Sequence, residues 1–401
     1  MEQNWAGNIT YRAREVVRPR SVDALRELVA DRERVRALGS RHSFNDLADG
    51  PGTLVSLEEL PDEIVVTGDQ VSVPAGVRYG VLAEFLAGRG LALANMASLP
   101  HISVAGAIAT GTHGSGDGNG CLSTAVAGLE LVTASGGLRT LWRGDPEFAG
   151  SVVALGALGV VTRVTLDVRP AYEVRQQVWV DVPWASVTGE LDALFACGYS
   201  VSVFTDWTGP AQVWVKSTGP ASLPFEATPA PGPVHMLAGE PVAAVTEQGG
   251  VPGPWLDRLP HFRLGHKPSA GAELQSEYLL PRDAAVTALT RLREMAPRIS
   301  PLLQITELRT VAADRLWLSP AYDRDVLAIH FTWKLDVPGV TALLPDLEAA
   351  LLPLGARPHW GKLFHTRKTS TLYPRWPDFT ELRTHHDPGN KFTNTYLDNL
   401  T

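Results

Sequence analysis

Three groups of residues in this sequence combine types and spacing suited to chemistry. The first is Met96 to Gly120, MASLPHISVAGAIATGTHGSGDGNG, where Gly, Ala, Ser and Thr predominate and no carboxylate, lysine or arginine occurs before Asp117. Such residues build little core, but they let backbone N–H groups approach a ligand closely. Gly106, Gly111, Gly114 and Gly116 can take positive φ, so that several N–H groups converge on one anion, and a diphosphate is the natural guest. The spacing is neither a GxGxxG after a strand nor a GxxxxGK[ST], so a Rossmann or P-loop site is not expected.

The second group is Gly39-Ser40-Arg41-His42-Ser43-Phe44-Asn45-Asp46, directly after a predicted strand. Glycine permits a sharp turn there, hydroxyls and amides offer donors to phosphate, and His42 would sit beside the ligand. The third group lies far along the chain. In Leu302 to Val311, period two puts Ile305, Glu307 and Arg309 on one face. In Asp325 to Leu335, Leu327, Ile329, Phe331 and Trp333 face one side and His330, Thr332 and Lys334 the other. A solvated sheet face with a cross-strand ion pair would account for Glu307 and Arg309, but less well for His330. Close by in type is His359-Trp360-Gly361-Lys362, where Trp360, Phe364 and nearby cations would desolvate Lys362 and lower its pKa.

The elements that position these groups follow from the rest of the chain. Its 401 residues suit two domains, and 44% hydrophobic with 19% charged residues suits a folded core. A net charge of -8 argues against nucleic acid or an anionic membrane as partner. Two distant cysteines, Cys121 and Cys197, offer neither a disulfide framework nor a zinc site, so no metal is expected and a reducing, cytoplasmic compartment fits. Met1 to Glu15 has no apolar stretch behind a basic start, so no signal peptide is expected. Ser151 to Val161 is too short and glycine-rich to cross a bilayer.

Arg14 to Val17 reads as a strand, Ser21 as the cap of a helix with Val22, Leu25, Leu28 and Val29 on one face, and Val35 to Leu38 as a second strand. Thr53 to Leu57, a hairpin from Glu63 to Pro74 around Gly68-Asp69, and a helix from Tyr79 to Gly88 follow. These give an α+β domain of about 170 residues. A helix from Ser186 to Phe195, a surface excursion from Ser217 to Pro254, and a helix from Asp283 to Met295 belong to a second domain.

Six stretches in order, GSRHSFND, ASLPHISVAGAIATGTHGSG, GALGVVTRVTL, ELRT, HFTWK and HWGK, give the chain a specific likeness. It resembles the alditol (xylitol) oxidases, FAD-linked oxidases of the vanillyl-alcohol oxidase superfamily related to the aldonolactone oxidoreductases. The resemblance implies a two-domain α+β fold, with a PCMH-type FAD-binding domain over residues 1–170. An α/β substrate domain with an antiparallel sheet would follow over 171–375, and a tail over 376–401 returning to the first domain. It places FAD against Gly39, Ser40, Arg41, His42, Ser43, Ser98, Ser103, Gly106, Thr110, Gly111, Thr112, His113 and Val161. His42 stands where relatives attach the flavin covalently, and Ser98 where some carry a cysteine for a second link. The substrate network falls on Ser98, Glu307, Arg309, His330, Thr332 and Lys362.

The implied reaction oxidises a terminal hydroxyl of xylitol, sorbitol or a similar polyol to the aldose by hydride transfer to flavin N5, with O2 reduced to H2O2. His330 or a depressed Lys362 would serve as base, Arg309 would act electrostatically, and Ala97 would admit oxygen to the flavin. An aldonolactone such as L-gulonolactone is the alternative substrate. The expected partners are the polyol and O2, with no nucleic acid or membrane, and the expected state is a monomer.

Overall fold

The computed structural model describes residues 2–61, 63–266 and 272–400. The opening run folds as strand, helix, strand. Glu15–Val17 and Val35–Leu38 both pair parallel with Thr53–Ser56, which lies between them. The helix Val22–Asp31 that joins the outer two starts where Ser21 Oγ accepts the Ala24 N–H at 3.1 Å. It buries Leu25 and Val29, four residues apart on one face.

A second, antiparallel sheet of five strands completes this half, in the order Val65–Thr67, Gln70–Pro74, Val160–Asp167, Val126–Val132, Leu138–Trp142. Its first hairpin closes with Thr67 opposite Gln70, and Gly68 at the turn takes φ +62°. Helices Tyr79–Ala87 and Val104–Ala109 pack their apolar residues into the core over this sheet.

Beyond Arg169–Pro170 the chain builds a nine-stranded sheet. Its centre runs Ala211–Ser217, Ser200–Thr205, Leu303–Val311, Val326–Lys334, Glu273–Pro281, all antiparallel. Alternation sorts the two faces. Leu274, Leu280, Leu308, Leu327, Ile329, Phe331 and Trp333 pack against helices that include Ala285–Glu294 and Val337–Leu351. Glu307 stands opposite His330, and His330 opposite Glu277, so the other face carries three titratable groups side by side. That face is the buried wall of a cavity, not a solvated surface. Lys334, at the end of its strand, is exposed and bonds Pro301 O at 2.9 Å instead.

Two expectations need correction here. The helix read over 186–195 is two short helices, Trp184–Gly189 and Leu191–Ala196, because the backbone leaves helical geometry at Glu190 (φ -119°, ψ 32°). The stretch 217–254 is a surface excursion over 218–233, where no residue is buried, but it turns inward after that. Met236 and Val245 pack on Val178, Phe204 and Trp214, while His235, Met236, Leu237 and Glu240 line the cavity. In the inward part, buried side-chain amides satisfy backbone groups that a strand ladder would otherwise pair. Gln176 Nε2 donates to Thr246 O and Glu247 O, both at 3.1 Å, and Gln248 both accepts from Val234 N and donates to Val234 O.

The C-terminal segment runs along the first half of the molecule. Val35 N–H donates to Lys391 O at 3.0 Å, Asn394 Nδ2 to Leu47 O at 2.8 Å, and Phe392 joins Leu25, Val29, Val35 and Val55 in one cluster. Among the described residues, one helical stretch, Val337–Leu354, is long and apolar enough to cross a membrane by composition. Here it buries Val340, Leu343, Leu344, Leu347 and Leu351, and its Glu348 takes the Tyr278 hydroxyl at 3.0 Å.

Candidate active site

A cavity of about 670 Å³ runs from the first half of the molecule to the polar face of the large sheet. All the residues that the resemblance places at the site line it except Gly111, and of the glycines expected to turn N–H groups to an anion, Gly114 and Gly116 lie outside the lining too. Gly111 instead makes the turn after helix Val104–Ala109, at φ +65°, where a Cβ would lie 3.0 Å from Pro320 Cδ. The glycines of this stretch therefore do different jobs. Gly116 also takes positive φ (+136°), but Gly106 and Gly114 do not. At those two the requirement is space: a Cβ on Gly106 would lie 2.8 Å from Ser103 Oγ, and one on Gly114 2.3 Å from Met96 O.

At this end the wall is backbone and small side chains. Ser40 N–H donates to Ser103 Oγ at 3.3 Å, and Ser103 N–H donates to Ser40 Oγ at 3.1 Å. Each hydroxyl accepts one bond and so keeps its own O–H to give to a ligand oxygen. Thr110 and Thr112 hydroxyls pair at 3.1 Å just beyond, and Val161 and Ser43 complete the lining. Arg41 holds φ +63° and turns its guanidinium to Glu2, at 2.8 and 3.0 Å. That turn sets His42 between Trp5, stacked at 5.3 Å, and Ser40 O, 2.8 Å from Nδ1. Burial lowers the His42 pKa to about 4, partly opposed by Ser40 O, so the imidazole is neutral.

At the other end the wall is charged. Glu277 is the hub: Arg309 Nη2 lies 2.7 Å from it, Lys362 Nζ 2.9 Å, His113 Nε2 3.1 Å and His330 Nδ1 3.5 Å. Glu307 takes His261 Nε2 at 2.7 Å and lies 3.6 Å from Arg309 Nε. Burial opposes both carboxylates, but Lys362 and Arg309 at Glu277, and Arg309 and His261 at Glu307, hold them below the usual carboxylate range. Burial likewise lowers Lys362, and it lowers His330 to about 4 with help from Lys362. Lys362 Nζ stands 2.6 Å from His330 Nδ1, while His330 Nε2 faces Thr332 Oγ1 at 3.2 Å. Ser98, between the two ends, accepts from Arg309 Nη1 at 3.3 Å, and Ala97 lines the cavity beside it.

Comparison with known proteins bears on what this cavity holds. Residues 13–141 match the family model of an FAD binding domain, and residues 272–400 that of D-arabinono-1,4-lactone oxidase. The chain is 49% identical over 408 residues to an alditol oxidase of Streptomyces sp. (strain IKD472 / FERM P-14339), covering 99% of this chain and 98% of that one. This chain belongs to the alditol oxidase family. A more distant relative, L-gulono-1,4-lactone dehydrogenase of Mycobacterium tuberculosis, is 30% identical over 438 residues, with 98% and 97% covered. The fold is shared more widely: a crystal structure of cholesterol oxidase from B. sterolicum superposes with a TM-score of 0.79 at 18% identity, covering 99% of this chain and 96% of that one.

As in a family built on an FAD-binding domain, the residues present fit FAD. The cradle is the part a Cβ would close, its two seryl O–H groups are free to donate, and the His42 ring is neutral and held at the wall. Sequence reading placed His113 among the cofactor contacts, but the structure ties it to Glu277, so it joins the two ends. It also passed over Glu277, His261 and Lys216. Glu277 had a usable signal, since in ELQSEYLLP it shares a face with Gln275 while Leu274, Tyr278 and Leu280 take the other.

Proposed function

We propose that the protein oxidises a terminal hydroxyl of an alditol such as xylitol or sorbitol to the aldose, with FAD as the immediate and O2 as the final electron acceptor, forming H2O2. The observation that carries this reading is the charge balance of the substrate end. Glu277 and Glu307 are matched by Arg309 and Lys362, and His330 and His261 beside them are neutral. A neutral, many-hydroxyl substrate needs donors and acceptors in exchange for lost water, not a net charge.

Bound FAD supplies a two-electron acceptor. The chain supplies the rest. Glu307, Thr332 and Ser98 accept and donate to the substrate hydroxyls, and Arg309, kept cationic by Glu307 and Glu277, stabilises negative charge on the reacting oxygen. The proton of that hydroxyl goes to the His330–Lys362 pair. With Lys362 charged, its ammonium donates to His330 Nδ1 and the ring's Nε2–H donates to Thr332. With Lys362 neutral, Nδ1–H donates to Nζ and Nε2 becomes a proton acceptor, a state that the lowered Lys362 pKa makes accessible.

We further propose a covalent link from His42 to the flavin, supported by the neutral, stacked imidazole at the cavity wall. The purified protein should be yellow, retain flavin after acid precipitation, and lose that retention in His42→Ala. Flavin washing out of the denatured wild type would overturn the link. A second reading, an aldonolactone as substrate, is favoured by the match of residues 272–400 to a lactone oxidase model. Peroxide release from xylitol and sorbitol against L-gulono-1,4-lactone separates the two, with the polyols expected to give the higher kcat/KM.

A further inference from the structure

Two lysine–histidine pairs flank the substrate end, and in only one of them does the lysine line the cavity. That one is Lys362–His330. The other lies one layer back, where Lys216 on the strand Ala211–Ser217 is buried and its ammonium meets Leu259 O, Pro260 O at 3.1 Å and His261 Nδ1 at 3.0 Å. Three N–H donors face three acceptors. An ammonium has no lone pair, so Nδ1 is the acceptor in that contact and the ring proton sits on Nε2, which is 2.7 Å from Glu307 Oε1.

We propose that Lys216 is a positioning residue for polyol binding: it fixes the His261 tautomer so that Nε2–H donates to Glu307, leaving the other carboxylate oxygen for Arg309 and the substrate. This rests on the reading of Glu307 as a partner of the substrate hydroxyls.

The surroundings make Lys216 sensitive to pH. Across the sheet it pairs with Gln176 on one side and Ser200 on the other, both uncharged, and Thr246 Oγ1 donates to the same Pro260 O at 2.7 Å. The titratable and charged groups facing it are His261, Glu307 and Arg309. Burial lowers its pKa to about 7, with Glu307 raising it and Arg309 lowering it. Loss of the proton leaves two hydrogens for the two carbonyls and a lone pair for Nδ1. The ring proton then moves to Nδ1, and Nε2 confronts Glu307 lone pair to lone pair. Substrate affinity therefore falls as pH rises through about 7.

The test is ¹⁵N-histidine NMR of the holoenzyme, with His261 assigned by His261→Gln, alongside KM and kcat for xylitol from pH 6 to 9. The expected result is an Nε2–H ring at pH 6 that passes to Nδ1–H by pH 9, while KM rises about tenfold and kcat falls less. Lys216→Met should show the raised KM at pH 6 and no further step. A His261 ring that keeps Nε2–H in wild type at pH 9 overturns the proposal, and so does a tautomer that moves with KM unchanged. The wild-type titration decides even if Lys216→Met does not fold. Because the tautomer is read without turnover, its failure is distinct from a failure to make peroxide from xylitol.

Discussion

The two ends of the cavity are made of opposite materials. At the cradle end, backbone groups, serines, threonines and Gly39 and Gly106 present weak partial charges from loops and a short helix. At the sheet end, fully formed charges on two strands, Glu307 with Arg309 on one and Glu277 on the other, flank the neutral His330 on the strand between them, with Glu307, His330 and Glu277 in register. Loops of small residues can approach a large ligand and follow its shape, whereas strands hold a few side chains at fixed spacing. The difference teaches how each end fails: the first by losing space, the second by losing charge balance.

Arg309→Met should produce the largest effect. It leaves Glu277 and Glu307 buried with one cation fewer, which costs about 3–5 kcal/mol of stability, and it removes the cation at the reacting oxygen, which should cost roughly a hundred- to a thousandfold in kcat/KM. Flavin content should stay at the wild-type level. A variant that loses flavin as well would break the division between the ends.

Gly106→Val tests the cradle in the opposite sense. The added Cβ meets Ser103 Oγ at 2.8 Å, and such overpacking costs about 1–3 kcal/mol, so flavin incorporation should fall well below one per chain. The molecules that keep flavin should retain the wild-type KM for xylitol. A changed KM would show that the cradle also shapes the polyol pocket.

The third effect is on stability, and both ends share it, because burial holds His42 at about 4 as well. Burial holds His330 and His261 at about 4, against about 6.5 in an unfolded chain. Between those values the unfolded chain binds protons that the folded one refuses. Stability therefore rises with pH through that window and is lost as pH falls from about 6.5 towards 4, on the order of a few kcal/mol. A Tm flat from pH 7 to 5 would contradict the neutral, buried state of these rings.

The cradle was legible because composition alone marks it, and the turn at Gly39 to Asp46 because it follows a strand. Ile305, Glu307 and Arg309 were legible from period two, and all three line the cavity. Glu277 had the same signal, but its meaning depends on register with His330, a long-range pairing that no local pattern encodes. Lys216 and His261 carried no signal. A lysine in an alternating strand reads as solvated, and only the packing of 259–261 over the sheet shows that it is enclosed. Likewise Gly106 and Gly111 look alike in sequence, though one gives space and the other a turn.

The central claim, that a flavin in the cradle faces a pocket matched to an uncharged sugar alcohol, is tested most directly by the absorbance spectrum of the purified protein before and after anaerobic xylitol. The account predicts a flavin spectrum that bleaches on adding xylitol and returns with air. A flavin band that xylitol leaves unchanged while L-gulono-1,4-lactone bleaches it would contradict the polyol assignment.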